Sequence, residues 1–304
     1  VLGQKPVVMS NPSNDSAGDV VLGYIADPND PSSPFLTAAS LAANYNSVQV
    51  RAARSESRGG IIPAFVARAI GIDGATVRVV GTASALNYKI EGYSSSPNRN
   101  ADLLPIVMDY DTYDKMVKPT STNGDQYRYD TATRKVVSGS DGIKESVIYP
   151  VNAGLAGNWG TVNIGTTNNS TSTLGAQIRY GVTPQQLAMY PGGKLTLNQT
   201  DANGNKYVML GGDPGISAGI KDDLESIIGQ PRTIPIYSTK SGNGNNAQYK
   251  VVGFAPIRLL SVNFKGNPKY VIVQPALTRD PSAIAGEVQT GWTAGGLIRL
   301  NLTR

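Results

Sequence analysis

The sequence contains no cysteine and no histidine. Without cysteine there is no disulfide, no thiolate nucleophile and no sulfur-based metal site. A chain without thiols is indifferent to redox compartment, so export is permitted. Without histidine, the usual general base and the commonest transition-metal ligand are missing. Charge is scarce as well: charged residues make up 16%, against roughly 25% in ordinary soluble domains. The 27 basic and 22 acidic residues leave a net charge of +5. They are scattered, with none of the Lys/Arg runs that a nucleic-acid stripe needs. No stretch approaches the ~18 consecutive apolar residues of a membrane-spanning helix. The opening Val-Leu-Gly-Gln-Lys is no signal peptide, so for an exported protein the targeting segment is expected upstream of Val1.

Glycine (34) and proline (19) are plentiful, and Asn, Ser and Thr fill much of the rest. That mixture describes short strands joined by turns, under a neutral polar surface. A chain of 304 residues buries a sizeable core, as one large domain or two closely joined ones. The expected fold class is α+β and β-rich. It combines mixed and antiparallel sheets, a βαβ-like N-terminal unit and a few short helices packed on them.

The pass along the chain places a strand at 19–25, then a Pro/Asp/Asn/Ser loop from Asp27 to Pro34. Residues 47–54 alternate, with Val48, Val50 and Ala52 on one face. After Gly59-Gly60, the stripe Ile61, Ile62, Phe65, Val66, Ala69 and Ile70 predicts a helix stopped by Gly71. A strand over 75–85 completes a βαβ-like unit or a split version of it. The Ser/Pro/Asn-rich stretch from Ser94 to Ala101 reads as a join. The units are therefore 1–95 and a larger β-rich 96–304, or one continuous domain.

Beyond the join, Leu103 to Met108 reads as a strand, and Asp109 or Asp111 caps a helix running to Val117. Polar turns fill 119–142, with strands at 144–150 and 159–164. Thr171 to Tyr180 is a helix ended by Gly181. Thr183-Pro184-Gln185-Gln186 supplies an N-cap, Pro at the first helical position and Gln at N3. A hairpin spans 195–210. A helix over 214–228 is capped by Asp213, faced by Ile216, Ile220, Leu224 and Ile227, and ended by Gly229. The remaining strands are 232–238, 247–264, 268–277 and 295–303, with Lys265-Gly-Asn-Pro268 as a hairpin turn.

Two motifs imitate chemistry. Gly215-Ile-Ser217-Ala-Gly219 matches a nucleophile elbow, but the chain has no histidine to take the hydroxyl proton, and a capped helix start explains it. Gly242-Asn-Gly244-Asn-Asn-Ala247 imitates a dinucleotide fingerprint, yet a strand rather than a helix is expected after it. No catalytic or cofactor-binding residue is assigned. Oxygen-rich loops can hold Ca²⁺, and the weak candidates are Asp27, Asp30, Asp109, Asp111 and Asp201, the last followed by Asn203 and Asn205. Turn and cap formation explains the same residues. A two-carboxylate glycosidase is the remaining enzymatic reading. Against it, Trp159 and Trp292 lie far apart in sequence and line no evident sugar cleft. The 15 tyrosines far outnumber the four phenylalanines, which suits adhesion or subunit packing.

A family resemblance rests on Val48-Gln-Val-Arg51, on Ile62-Pro-Ala-Phe-Val-Ala-Arg-Ala-Ile-Gly-Ile-Asp73 and on Ala75-Thr-Val-Arg-Val79. These resemble the strand, P-x-F-x-A-R-x-x-G helix and second strand of TadE/TadG-like proteins of Flp/Tad pilus assembly. Asp102-Leu-Leu-Pro-Ile106, Gly157-Asn-Trp-Gly-Thr-Val-Asn-Ile-Gly165, Gly212-Asp-Pro-Gly215 and Gly244-Asn-Asn-Ala-Gln-Tyr249 with Val252-Gly-Phe254 are similar to segments of longer members. The resemblance implies an extracytoplasmic region, an envelope or surface location, a pilus-associated role and no enzymatic activity. The family's N-terminal hydrophobic helix is not part of this sequence, so membrane association would run only through such an anchor. The expectation is a non-enzymatic structural subunit or accessory protein of an extracellular pilus-like filament or surface assembly. Its partners are further copies or other envelope proteins, with no nucleic acid and no required cofactor. The alternative is a surface adhesin or carbohydrate-binding module using calcium.

Overall fold

Short runs of β-branched and aromatic residues between Gly, Pro and Asn turns make strand the dominant element, and the chain is 46% strand and 16% helix. The α+β, β-rich class is therefore observed. The computed structural model describes residues 7–63, 66–148, 158–167, 170–214, 218–242, 244–265, 269–289 and 295–302. Two compact units emerge: Val1–Leu86 with Arg299–Arg304, and Asn87–Ile298.

In the first unit β1 (Val20–Gly23) lies antiparallel to β2 (Ser47–Arg54), with Val20 opposite Val50. Two-residue strands β3 (Ile62–Pro63) and β4 (Gly74–Ala75) pair with each other. The long β5 (Val77–Ser94) begins here and runs antiparallel to β2, from Arg54 opposite Val77 to Ser47 opposite Ser84. The βαβ-like reading is thus corrected: the two strands form an antiparallel ribbon, not a parallel crossover. The helix expected over 61–70 is corrected too. Among the described residues of that stretch the helical element is a 3₁₀ turn at Ala67–Ile70, and Phe65 lies outside them. A ten-residue helix gains most of its stability by packing its apolar face, yet Val66 and Ile70 are 88% and 77% exposed. Pro63 also removes a backbone donor inside the expected helix. Polar contacts tie the ribbon's base: Ser47 and Ser84 hydroxyls meet at 2.7 Å, and the Arg58 guanidinium donates to Asp19 at 2.8 Å.

The second unit continues with the end of β5, then β6 (Ile106–Asp109), α1 (Tyr110–Val117), β7 (Tyr127–Asp130), β8 (Lys135–Ser138), β9 (Ser146–Val147) and β10 (Trp159–Val162). Next come α2 (Thr171–Tyr180), α3 (Pro184–Leu187), β11 (Lys194–Thr196), β12 (Gln199–Thr200), β13 (Lys206–Asp213) and α4 (Lys221–Glu225). It ends with β14 (Pro231–Ser241), β15 (Ala247–Asn263), β16 (Tyr270–Pro275), β17 (Leu277–Thr278), β18 (Ala283–Val288) and the start of β19 (Gly296–Leu302).

Its centre is a closed ring of strands. β15 pairs with β14, β14 with β6, β6 with β10, β10 with β13, and β13 returns to β15. All contacts are antiparallel except β6 with β14, which is parallel. Closure leaves those five strands without a free inner edge. Alternation then sorts successive side chains onto two sides. On β6, Val107 joins one buried cluster with Val162, Leu210, Tyr249 and Val251, while Ile106 and Met108 join another. That second cluster holds Trp159, Met116 of α1, Leu174 and Ile178 of α2, and Leu224 of α4. β5 adds an outer layer, with Tyr93 opposite Leu195 of β11 and Gly92 opposite Ile284 of β18.

The helix caps follow the sequence closely. Asp109 accepts from the Thr112 amide at 3.0 Å to start α1. Ser170 caps α2, and Gly181 ends it with a φ of 82°. Thr183 and Gln186 form the reciprocal capping box of α3. The expected helix over 214–228 is corrected. Asp213 is the last residue of β13, paired with Thr161, and residues 215–217 after it lie outside the described ones. A 3₁₀ turn at Ala218–Ile220 leads instead into the five-residue α4. Gly215 and Ser217 of the elbow motif, part of the 265–268 turn, and Trp292 lie outside the described residues.

Candidate functional site

The second unit carries a cavity of about 420 Å³, walled by α1, β5, β15 and β18. Its floor arises from a slip in the β14–β15 ladder. Ile236 pairs with Gly253, but Tyr237 pairs with Val251, so Val252 is the extra residue of a bulge. Bulges bend a strand and re-aim its side chains, and here Val252, Gly253 and Phe254 face the cavity. Gly253 opens it further, since a Cβ there would meet no atom of the described residues within 4 Å.

The walls are aromatic. Tyr110 and Tyr113, three apart on α1, stand on one side, and Tyr88 of β5 on another. Tyr110 is half exposed, whereas burial pushes the Tyr113 hydroxyl up to about 12. The Tyr113 hydroxyl therefore stays protonated at neutral pH, and the cavity offers aromatic rings and a neutral donor. Its charges lie on Lys89, Glu91, Asp114 and Glu287. Lys89 reaches Glu287 at 3.2 Å, and Asp114 pairs with Lys118 one turn on. Among the described residues Glu91 makes no ion pair, and it lies over Gly286, where a Cβ would come within 2.8 Å of the Glu91 carboxyl carbon. Apart from Asp114, which clusters in sequence with the acidic residues Asp109 and Asp111, none of these groove residues stood out in the sequence as a site. The one available sign was the Tyr110/Tyr113 spacing on a helix whose start was legible.

The first unit carries a different surface. Along β5, Val77, Arg78, Val79 and Val80 are all exposed, although alternate residues point to opposite faces. The ribbon end is therefore wetted on both faces. Val79 and Val80 are 60% and 54% exposed. With Val66, Ile70 and Ile72 they make a set of large apolar side chains in water, of the kind that marks a contact surface.

The structure gives Asp27, Asp30, Asp109 and Asp201 local hydrogen-bond partners. The Asp27 carboxylate accepts from the Asn29 amide at 2.9 Å, and Asp30 from the Ser32 amide at 2.9 Å, each closing its own turn. Asp109 caps α1, and Asp111 sits in that helix's first turn, where a negative charge complements the dipole. Asp201 accepts from the Asn203 and Asn205 amides and from Lys250 Nζ at 2.8 Å. Lys250 and the turn amides pull its carboxyl down to about 2. The five thus fall in three separate places: the 27–30 loop, the head of α1 and the β12–β13 turn. Among the described residues, no three Asp or Glu side chains gather as a group able to hold a metal ion. Among the described residues of the Gly242–Ala247 stretch, a 3₁₀ turn at Gly244–Asn246 leads into β15, where a dinucleotide fingerprint needs a helix.

No family model, no curated protein and no solved structure matches the chain.

Proposed function

We propose that the chain is a non-enzymatic structural subunit or accessory protein of an extracellular, pilus-like filament or cell-surface assembly. The observation that carries this reading is the ribbon end of the first unit, where Val66, Ile70, Ile72, Val79 and Val80 stand in water. Large apolar side chains gathered at one end of a domain favour burial against another chain. The low charge, the lack of histidine and cysteine and the TadE/TadG-like segments agree with that role. Sedimentation velocity over a hundredfold concentration range, with electron microscopy of the same samples, tests it. Growing oligomers, filaments or sheets are expected. A compact monomer at every concentration, with no polymer on the grid, counts against it.

A second reading, a surface adhesin or carbohydrate-binding module, is favoured by the groove of the second unit. Tyr88, Tyr110, Tyr113 and Phe254 supply ring faces there, and Gln289 an amide. A glycan array probed with calcium and with chelator tests it. Binding lost in the Tyr110→Ala, Tyr113→Ala variant supports the adhesin, and silence in both conditions removes it.

A further inference from the structure

We infer that the exposed ribbon end of one copy docks into the tyrosine-lined groove of a second copy, joining the chains head to tail. This rests on the reading of the chain as an assembly subunit and names the contact by which it would assemble. The two surfaces match in chemistry. The ribbon end offers Val66, Ile70 and Ile72 around Arg68. The groove offers an apolar floor, three tyrosine rings and Glu91, whose carboxylate has no ion pair among the described residues. Among the described residues Arg68 is held only by Asp73, at 4.0 Å, with both side chains largely in water. Such a pair contributes little and is readily exchanged. In the groove the same guanidinium would meet Glu91 and the face of a tyrosine, a better-desolvated partnership.

The geometry of growth follows from the surfaces being different. A contact between two unlike patches is heterologous, so every added copy leaves one ribbon end and one groove free. The result is an open polymer or a ring rather than a closed dimer. The bulge at Val252 and the empty space over Gly253 give the groove its depth. They also give a clean way to block it. Gly253 lines the cavity in β15, and a Cβ there would meet no atom of the described residues within 4 Å, so Gly253→Phe is the substitution chosen to fill it.

The test uses two disabled chains, Gly253→Phe and the double variant Val66→Asp, Ile70→Asp, with sedimentation velocity as readout and circular dichroism as the check on folding. Each alone is expected to remain monomeric where the wild type polymerises. Mixed one to one, they should form a dimer that grows no further, because the blocked chain still has its ribbon end and the other its groove. Glu91→Arg and Arg68→Glu serve as independent variants should Gly253→Phe misfold. Each should weaken assembly roughly tenfold or more, as an interface hot spot does, and the pair together should restore it. If Gly253→Phe and Glu91→Arg both assemble like the wild type while the ribbon variants do not, the groove contact is wrong and the structural role stands. A glycan bound by the wild type and lost in Gly253→Phe, with assembly intact, likewise overturns it. A wild type that stays monomeric sinks both.

Discussion

Tyr249 sends its ring and hydroxyl into the space that a glycine at position 160 leaves open. A Cβ on Gly160 would collide with the Tyr249 hydroxyl and would come within 2.9 Å of the Asp213 carbonyl. Both residues lie in the strand ring of the second unit, on β10 and β15, where Tyr249 also packs edge-on against Tyr237 at 5.0 Å. The Tyr249 hydroxyl is buried and has no hydrogen-bond partner among the described residues. Gly160→Ala should therefore destabilise the protein by about 1–3 kcal/mol through overpacking. Tyr249→Phe should be close to neutral, because it removes a buried hydroxyl with no partner among the described residues. Urea unfolding of the two single variants and the double variant checks this. The double should be less destabilised than the sum of the singles.

The Asp201–Lys250 pair sets a pH dependence. The Asp201 carboxyl sits near 2 in the folded protein against an ordinary 3.8, held down first by Lys250 and then by the turn amides. A carboxyl depressed by folding contributes stability that is fully present above its unfolded value and is lost as pH falls through the folded one. The contribution should thus fade between about pH 4 and pH 2. Asp201→Asn should show a flatter acid limb across that window, with the curves converging at the acid end. Denaturant titrations at half-unit pH steps measure it.

Thr183 and Gln186 give a prediction that needs no assembly. The Thr183 hydroxyl accepts from the Gln186 amide at 3.2 Å, and the Gln186 side chain accepts from the Thr183 amide at 2.9 Å. Thr183→Ala should cost about 1 kcal/mol, and Thr183→Ser should retain most of it. Melting curves of the three proteins decide the point. Equal loss in the Ser and Ala variants would mean that the threonine methyl, not the cap, matters.

The caps were legible because they are local. Asp109, Ser170 and Thr183 each reach an amide three residues away, and short-range sequence encodes such bonds directly. The long strands β14 and β15 were legible for the same reason, as runs of apolar and β-branched residues. The element over 61–70 failed because its apolar period suits a helix only when something covers the stripe, and Val66 and Ile70 stand in water. Over 214–228 the α-helix among the described residues is confined to Lys221–Glu225, after a 3₁₀ turn at Ala218–Ile220. β18 escaped notice because Ala-Ile-Ala-Gly-Glu-Val lacks a strand period and is set by Tyr93 and Gly92 across the ladder. The groove was invisible for a deeper reason. Its residues converge from β5, α1, β15 and β18 only once the ladder slips at Val252.

The ribbon's exposure has a dynamic consequence. In β2 the residues Val48 to Ala53 are only partly buried, and in β5 the opposing Val77 to Val80 are exposed, so few apolar contacts hold that end. Barrel residues Tyr249, Val251, Ile257 and Leu259 of β15 are by contrast fully buried. Local opening costs least where apolar contacts are few. In dilute solution the amides of Arg51 to Arg54 and Val77 to Val80 should therefore exchange with deuterium orders of magnitude faster than those of β15. Assembly changes one set and not the other. Burying Val79, Val80 and their neighbours against another chain stabilises the closed ribbon, so its amides should slow as concentration rises while β15 stays constant. Hydrogen exchange with mass spectrometry below and above the assembly threshold separates the two segments. Uniform slowing of both would point to global stabilisation, and no change in the ribbon amides would place the contact elsewhere on the chain.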